Sequence, residues 1–209
     1  MGREGRLEER PLYGGMITMK VPGGMKDLSE YRQVPDHQEC FAEPETDRSL
    51  IVEIVEYEKE VHAKGCEHAA LFHFRDLAKA NEAVGCTESP VIETGYREAL
   101  CPGSLTPMSQ VTLLFGVQGI AKDKDKAEAA NQVHLCLCDI AIPEYETEVL
   151  VTMNTPLAIS EKSSSFGKVE GAAGSSKGER ERLVRDAVEA FKDVVASFKV
   201  VDYRLFGHG

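Results

Sequence analysis

Three groups of residues have the types and spacing from which chemistry is made. The first is His62, Cys66, His68 and His73, metal-ligating side chains crowded into one stretch. A zinc site needs four donors converging tetrahedrally, and these spacings match no standard zinc module. The stretch reads as a loop and helix start rich in such residues, with a metal-dependent hydrolase as a rival. The second group is Cys136 and Cys138, two apart in an apolar run. On a strand both face the same way, and small buried thiols pack as hydrophobes. The third is the run from Leu28 to Phe41, where Arg32, Asp36, His37, Gln38 and Glu39 surround Pro35. A proline there imposes a turn or an extended joint. Loops held by a rigid scaffold are where binding residues concentrate, although composition alone would make this run a solvated connection.

The familiar catalytic patterns are missing. The sequence has no G-x-x-x-x-G-K-[ST] phosphate cradle, no G-x-S-x-G elbow, no H-E-x-x-H and no dinucleotide fingerprint. Of 209 residues, 42% are hydrophobic and 28% charged, ordinary for a globular protein. Thirty-five acidic residues against 24 basic give a formal charge of -11. That balance argues against nucleic acid, whose phosphates need clustered Lys and Arg, and suits a partner with a basic face. The first ten residues carry no apolar stretch for a secretory leader, and Arg6 stands where N-acylation at Gly2 would call for Ser or Thr, so neither a leader nor an acyl anchor is expected. No run is long enough to span a membrane. The six cysteines follow no disulfide or zinc rhythm and read as reduced thiols of the cytosol or nucleus.

The elements that must position these groups follow from periodicity. Strands are predicted at Met16–Val21, Ser49–Tyr57, Val111–Ile120, Gln132–Ile142 and Glu146–Asn154. The apolar middle of Ser49–Tyr57 predicts burial on both faces. The last two strands, joined by Pro143-Glu144-Tyr145, should be antiparallel. Asp27-Leu28-Ser29-Glu30 has the spacing of a capping box and predicts a short helix ending before Pro35. Cys66–Ala83 predicts a helix ended by Gly85. From Glu179, apolar residues Leu183 to Phe198 recur at helical spacing opposite a charged face. Residues 1–10 read as a flexible tail, and the Ser- and Gly-rich stretch at about 160–178 as a disordered insertion. The expected fold class is α+β: one domain over 11–209, a mainly antiparallel sheet covered by helices on both faces.

Several collinear segments resemble the Mog family of Ran-binding nuclear import factors. Pro11-Leu12-Tyr13-Gly14-Gly15, Val21-Pro22 and Arg32-Gln33-Val34-Pro35-Asp36-His37-Gln38-Glu39 are similar to its N-terminal signature. Ser49–Glu56, Phe72–Leu77, Ile142–Leu150 and Phe198–Phe206 continue the likeness. The resemblance implies a Mog/PsbP-like α/β/α sandwich that binds the GTPase Ran through a basic surface and promotes nucleotide release in nuclear import. It implies a monomer of nucleus and cytoplasm, with no cofactor, metal, nucleic acid or membrane and no bond chemistry of its own. Asp36 and Glu39 match the family's Ran-binding acidic pair, with Gln38 and Arg32 shaping the edge and His37 in a variable position. Cys40 replaces the Val common there. Side chains three apart on a strand point to opposite faces, so joint use of Asp36 and Glu39 requires Asp36 to lie in the turn after Pro35. Replacing either by Ala is then expected to weaken Ran binding with little change in melting temperature. The rivals are a lumenal PsbP-like extrinsic subunit of photosystem II and a generic acidic adaptor.

Overall fold

The computed structural model describes residues 6–100, 103–121, 127–164, 166–167 and 176–207. Strands β1 (Leu7–Leu12), β2 (Ile17–Pro22) and β11 (Lys199–Val200) form a small antiparallel sheet in the order β1-β2-β11. The large sheet contains β3 (Lys26–Asp27), β4 (Gln38–Glu43), β5 (Arg48–Glu56), β6 (Gly85–Cys86), β7 (Val91–Glu93), β8 (Gln110–Ile120), β9 (Asn131–Ile142) and β10 (Thr147–Ala158). Its order is β3-β4-β5-β10-β9-β8-β6, with β7 also pairing β8, and every pair is antiparallel. The helices are α1 (Lys59–His62), α2 (Cys66–Ala80) and α3 (Lys177–Ala196).

Alternation along β9 and β10 divides the core between the two faces. Cys136, Cys138 and Ile140 join Val149, Val151 and Met153 against Phe191, Val194 and Val195 of α3 and Leu12, Ile17 and Met19 of the small sheet. Leu135, Leu137 and Leu150 turn the other way, with Leu114, onto Ala70 and Phe74 of α2. Both central strands are therefore covered on both sides, which is why they read as nearly unbroken apolar runs. Each large side chain fully buried there contributes roughly 1.5–3 kcal/mol. Helix α2 lies close because β8 offers a glycine: a Cβ on Gly116 would stand 2.6 Å from Phe74 Cζ. Helix α3 opens on a capping box. Ser176 N donates to Glu179 Oε2 at 2.7 Å, and Glu179 N donates to Ser176 Oγ at 3.4 Å.

Helices on both faces of an antiparallel sheet are the expected α+β class. Four local expectations are corrected. Residues 7–10, assigned to a tail, pair with β2 as part of β1; Leu12 is fully buried and the strand lies at a sheet edge, where charged residues and Pro11 are tolerated. The Asp27 box yields only a 3₁₀ turn, Leu28–Glu30, because Asp27 Oδ1 accepts from Ser29 N at 2.8 Å and Ser29 and Glu30 are exposed, leaving no apolar stripe to extend a helix. Strand β5 is fully buried on one face only, at Leu50 and Val52; the other face carries the charged Glu53 and is half-buried, with Val55 packing against the cluster around Ala70 and Phe74. In the Ser-rich stretch, Ser160 N donates to Asn131 Oδ1 and Asn131 Nδ2 to Ser163 Oγ, tying its start to β9, while Lys177 and Gly178 already belong to α3. Residues 1–5, 165 and 168–175 lie outside the described residues. Among the described residues no helix is long and apolar enough to cross a membrane.

Candidate functional site

Pro35 starts a tight turn closed by Gln38 N donating to Pro35 O at 2.9 Å, and Asp36 and His37 occupy its tip. Strand β4 begins only at Gln38, so Asp36 is outside the strand, as joint use with Glu39 requires. Asp36, His37 and Arg32 are exposed; Gln38 and Glu39 are half-buried. Alternation then separates the last two. Glu39 shares a face with Phe41, towards the small sheet, while Gln38 and Cys40 face the other way.

Glu39 is not a free surface charge. Its Oε1 accepts from Tyr13 N at 2.6 Å. Tyr13 in turn has a φ of 50°, unusual for a residue with a Cβ, and is followed by Gly14 and Gly15, both at positive φ. Its hydroxyl lies 3.0 Å from His37 O and 2.9 Å from Val52 O, sharing one proton between the acidic turn and β5. Burial, then the charges of Glu39 and Glu53, push the Tyr13 phenol far above its ordinary value, so it stays a donor. The strained Tyr13 corner is therefore a clamp on the turn: it holds the carbonyl at the tip and the carboxylate at the strand start.

The opposite face carries a further carboxylate that sequence reasoning did not single out. Glu53 of β5 pairs in register with Gln38, accepts from Gln38 Nε2 at 2.7 Å and lies 3.4 Å from His37 Nε2. Cys40 is buried, and burial raises its thiol despite the opposing charge of Arg32. Substituting Cys for a buried aliphatic residue is thus a packing change. A cavity of about 560 Å³ near β1 and β3, lined by Arg10, Met25, Lys26 and Phe41 among others, includes none of Asp36, His37, Gln38 or Glu39. The acidic turn is a projecting surface feature, suited to a macromolecular face more than to a small molecule.

The other chemically endowed group is rearranged relative to expectation. His62 and His73 do converge, but with Asp139 and Glu148, not with Cys66 and His68. His73 Nε2 is 2.5 Å from Glu148 Oε2, His62 Nε2 is 3.0 Å from Glu148 Oε1, and Glu58 N donates to the same Oε1 at 2.9 Å. Burial would raise Glu148, but the bonds from His62, His73 and Glu58 N outweigh it and hold its carboxyl well below the usual range. Burial, and then the charge of Glu148, push Asp139 up. Burial would lower His73, yet its bond to Glu148 leaves it raised. No sequence spacing pointed to Asp139 or Glu148, which come from β9 and β10. Cysteines 40, 66, 86, 136 and 138 are all free, and Cys136 and Cys138 pack on the α3 face as expected.

An antiparallel sheet between helices, with an acidic turn fixed at its edge, defines an α+β protein. Residues 10–156 match the family described as Ran-interacting Mog1 protein. The chain is 34% identical to the Ran guanine nucleotide release factor of Danio rerio, over 95% of this chain and 99% of that one. It is also 34% identical to the Homo sapiens protein of that name, over 70% and 74%. The crystal structure of the Saccharomyces cerevisiae Ran-binding protein Mog1p superposes with a TM-score of 0.65 at 25% identity, covering 97% of this chain and 99% of that one. The chain belongs to the Ran-interacting Mog1 family.

Proposed function

We propose that this protein binds the GTPase Ran, loosens its hold on guanine nucleotide, and so supports nuclear protein import. Family membership supports the partner, and the projecting turn that presents Asp36 beside Glu39 supports the surface. Asp36, with Glu39 behind it, meets basic residues of Ran; Arg32, His37 and Gln38 form the rim. The chain's acidity would steer that encounter.

Nucleotide release then follows from linkage. A protein that binds nucleotide-free Ran more tightly than loaded Ran must weaken nucleotide binding by the same factor. No bond is made or broken, so neither nucleophile nor general base is needed. The protein works as a monomer, meeting Ran in nucleus and cytoplasm. A pull-down with nucleotide-free, GDP-loaded and GTP-loaded Ran tests partner and state together. Preferential capture of the nucleotide-free form is expected; failure to capture any form at micromolar concentrations overturns the reading.

A further inference from the structure

The buried group under α1 is the part of the molecule that Ran binding leaves unused. His62 comes from α1, His73 from α2, Asp139 from β9 and Glu148 from β10. One ligand atom from each lies within 4.8 Å of all the others. The surroundings are closed: the side chains of His62, His73 and Glu148 are 4%, 7% and 0% exposed, and Asp139 is 2% exposed. Two carboxylates and two imidazoles are thus gathered at close quarters out of water, where any charge is costly unless it is paired or bound to a cation. Asp139 Oδ1 and His62 Nδ1 are also buried without a hydrogen-bond partner, and His62 Nε2 meets Glu148 Oε1 only as a charge contact at 3.0 Å.

We propose that His62, His73, Asp139 and Glu148 form a four-ligand site for a divalent cation of the zinc class. Two imidazole nitrogens and two carboxylate oxygens suit zinc and its first-row neighbours, and with no thiolate they disfavour softer ions. Zinc bonds of about 2.0–2.2 Å to such ligands would set donor atoms roughly 3.3 Å apart in a tetrahedron. The separations here, from 2.5 Å between His73 Nε2 and Glu148 Oε2 to the 4.8 Å limit, bracket that figure. Small side-chain movements therefore suffice, and Asp139 Oδ1 gains a partner.

The supporting contacts are already in place. Tyr57 stacks on the His62 ring with centroids 4.4 Å apart and planes 20° apart, which fixes its orientation. Glu58 N holds Glu148 Oε1. An ion would arrive past α1, a single turn whose neighbours Glu58, Lys59, Glu60, Ala63 and Lys64 are exposed. With all four positions supplied by protein, the ion would be structural, tying α1 and α2 to the two central strands.

The test uses the full-length chain, stripped with a chelator and then titrated with zinc against a chromogenic competitor. One tight equivalent is expected. Thermal unfolding should rise by roughly 5–10 °C when free zinc exceeds Kd a hundredfold. Asp139→Asn and His62→Gln should each weaken binding by more than about 100-fold, while His68→Gln and Cys86→Ser leave it unchanged. Cobalt bound to the unaltered protein covers the case in which a variant fails to fold. Its visible spectrum should be that of a tetrahedral nitrogen–oxygen site without thiolate charge transfer. No binding at micromolar zinc, a thiolate band, or affinity that survives in folded Asp139→Asn and His62→Gln would overturn the proposal.

Discussion

Asp36 and Glu39 differ in how far each is committed to the fold, so they should respond differently to substitution. Asp36 is exposed at the tip of a turn. Asp36→Ala is expected to weaken Ran binding while leaving Tm unchanged, checked by calorimetric titration beside thermal unfolding. Glu39 also holds Tyr13 N, which revises the sequence-based expectation that its removal spares stability. Glu39→Ala should cost about 1.5–3 kcal/mol, as for other hydrogen bonds to a charged group. Glu39→Gln keeps the acceptor and removes the charge, so loss of Ran affinity without loss of stability in that variant isolates the charge. Tyr13→Phe should act through position alone: it frees His37 O and Val52 O, costs about 1 kcal/mol, and weakens Ran binding although no charge changes. His134 supplies a pH test. Burial lowers it from 6.5 to about 4, so the unfolded chain binds the extra proton between those values and stability falls as pH drops through them. The loss approaches on the order of 3 kcal/mol, and His134→Gln should flatten it in urea unfolding measured from pH 7 to pH 4. The acidic turn was legible because Pro35 punctuates the chain locally. The Tyr13–Glu39 bond was not, because it joins residues 26 apart through a fold that no local pattern announces.

Among the elements, legibility followed length and burial. Strands β8, β9 and β10 run 11 or 12 residues and are buried enough to leave an apolar signal. Helix α3 shows a full amphipathic stripe over 20 residues. By contrast β3, β6 and β11 have two residues each and β7 three, too few to display a period of two. They exist because neighbouring strands offer unpaired backbone groups, which is tertiary information. Strand β1 was hidden by the charges of Glu8, Glu9 and Arg10, acceptable only at an edge. The packing of α2 gives a sharp test at this scale. Gly116→Ala places a methyl against the Phe74 ring, and overpacking of this kind costs about 1–3 kcal/mol. A lower urea midpoint with faster amide exchange in α2 is expected; an unchanged midpoint would mean the ring has room to move.

For the molecule as a whole, the sheet separates two kinds of chemistry. The turn at the β4 edge is solvent-facing and acidic, while the His62–Glu148 cluster is sealed beneath α1. The second was half legible: His62 and His73 stood out by type, but their partners lie up to 86 positions away in chain order, and only the β9–β10 register brings them together. The net charge of -11 bears on encounter with a basic partner, so association with Ran should slow as salt rises. The most direct test is the rate at which Ran releases fluorescent GDP in excess of this protein. The unaltered chain should accelerate release, and the Asp36→Ala/Glu39→Gln double variant, folded with the same Tm, should need roughly 30-fold or more protein for the same rate. Equal acceleration by the double variant, or none by the unaltered chain, would contradict a mechanism that acts through the acidic turn.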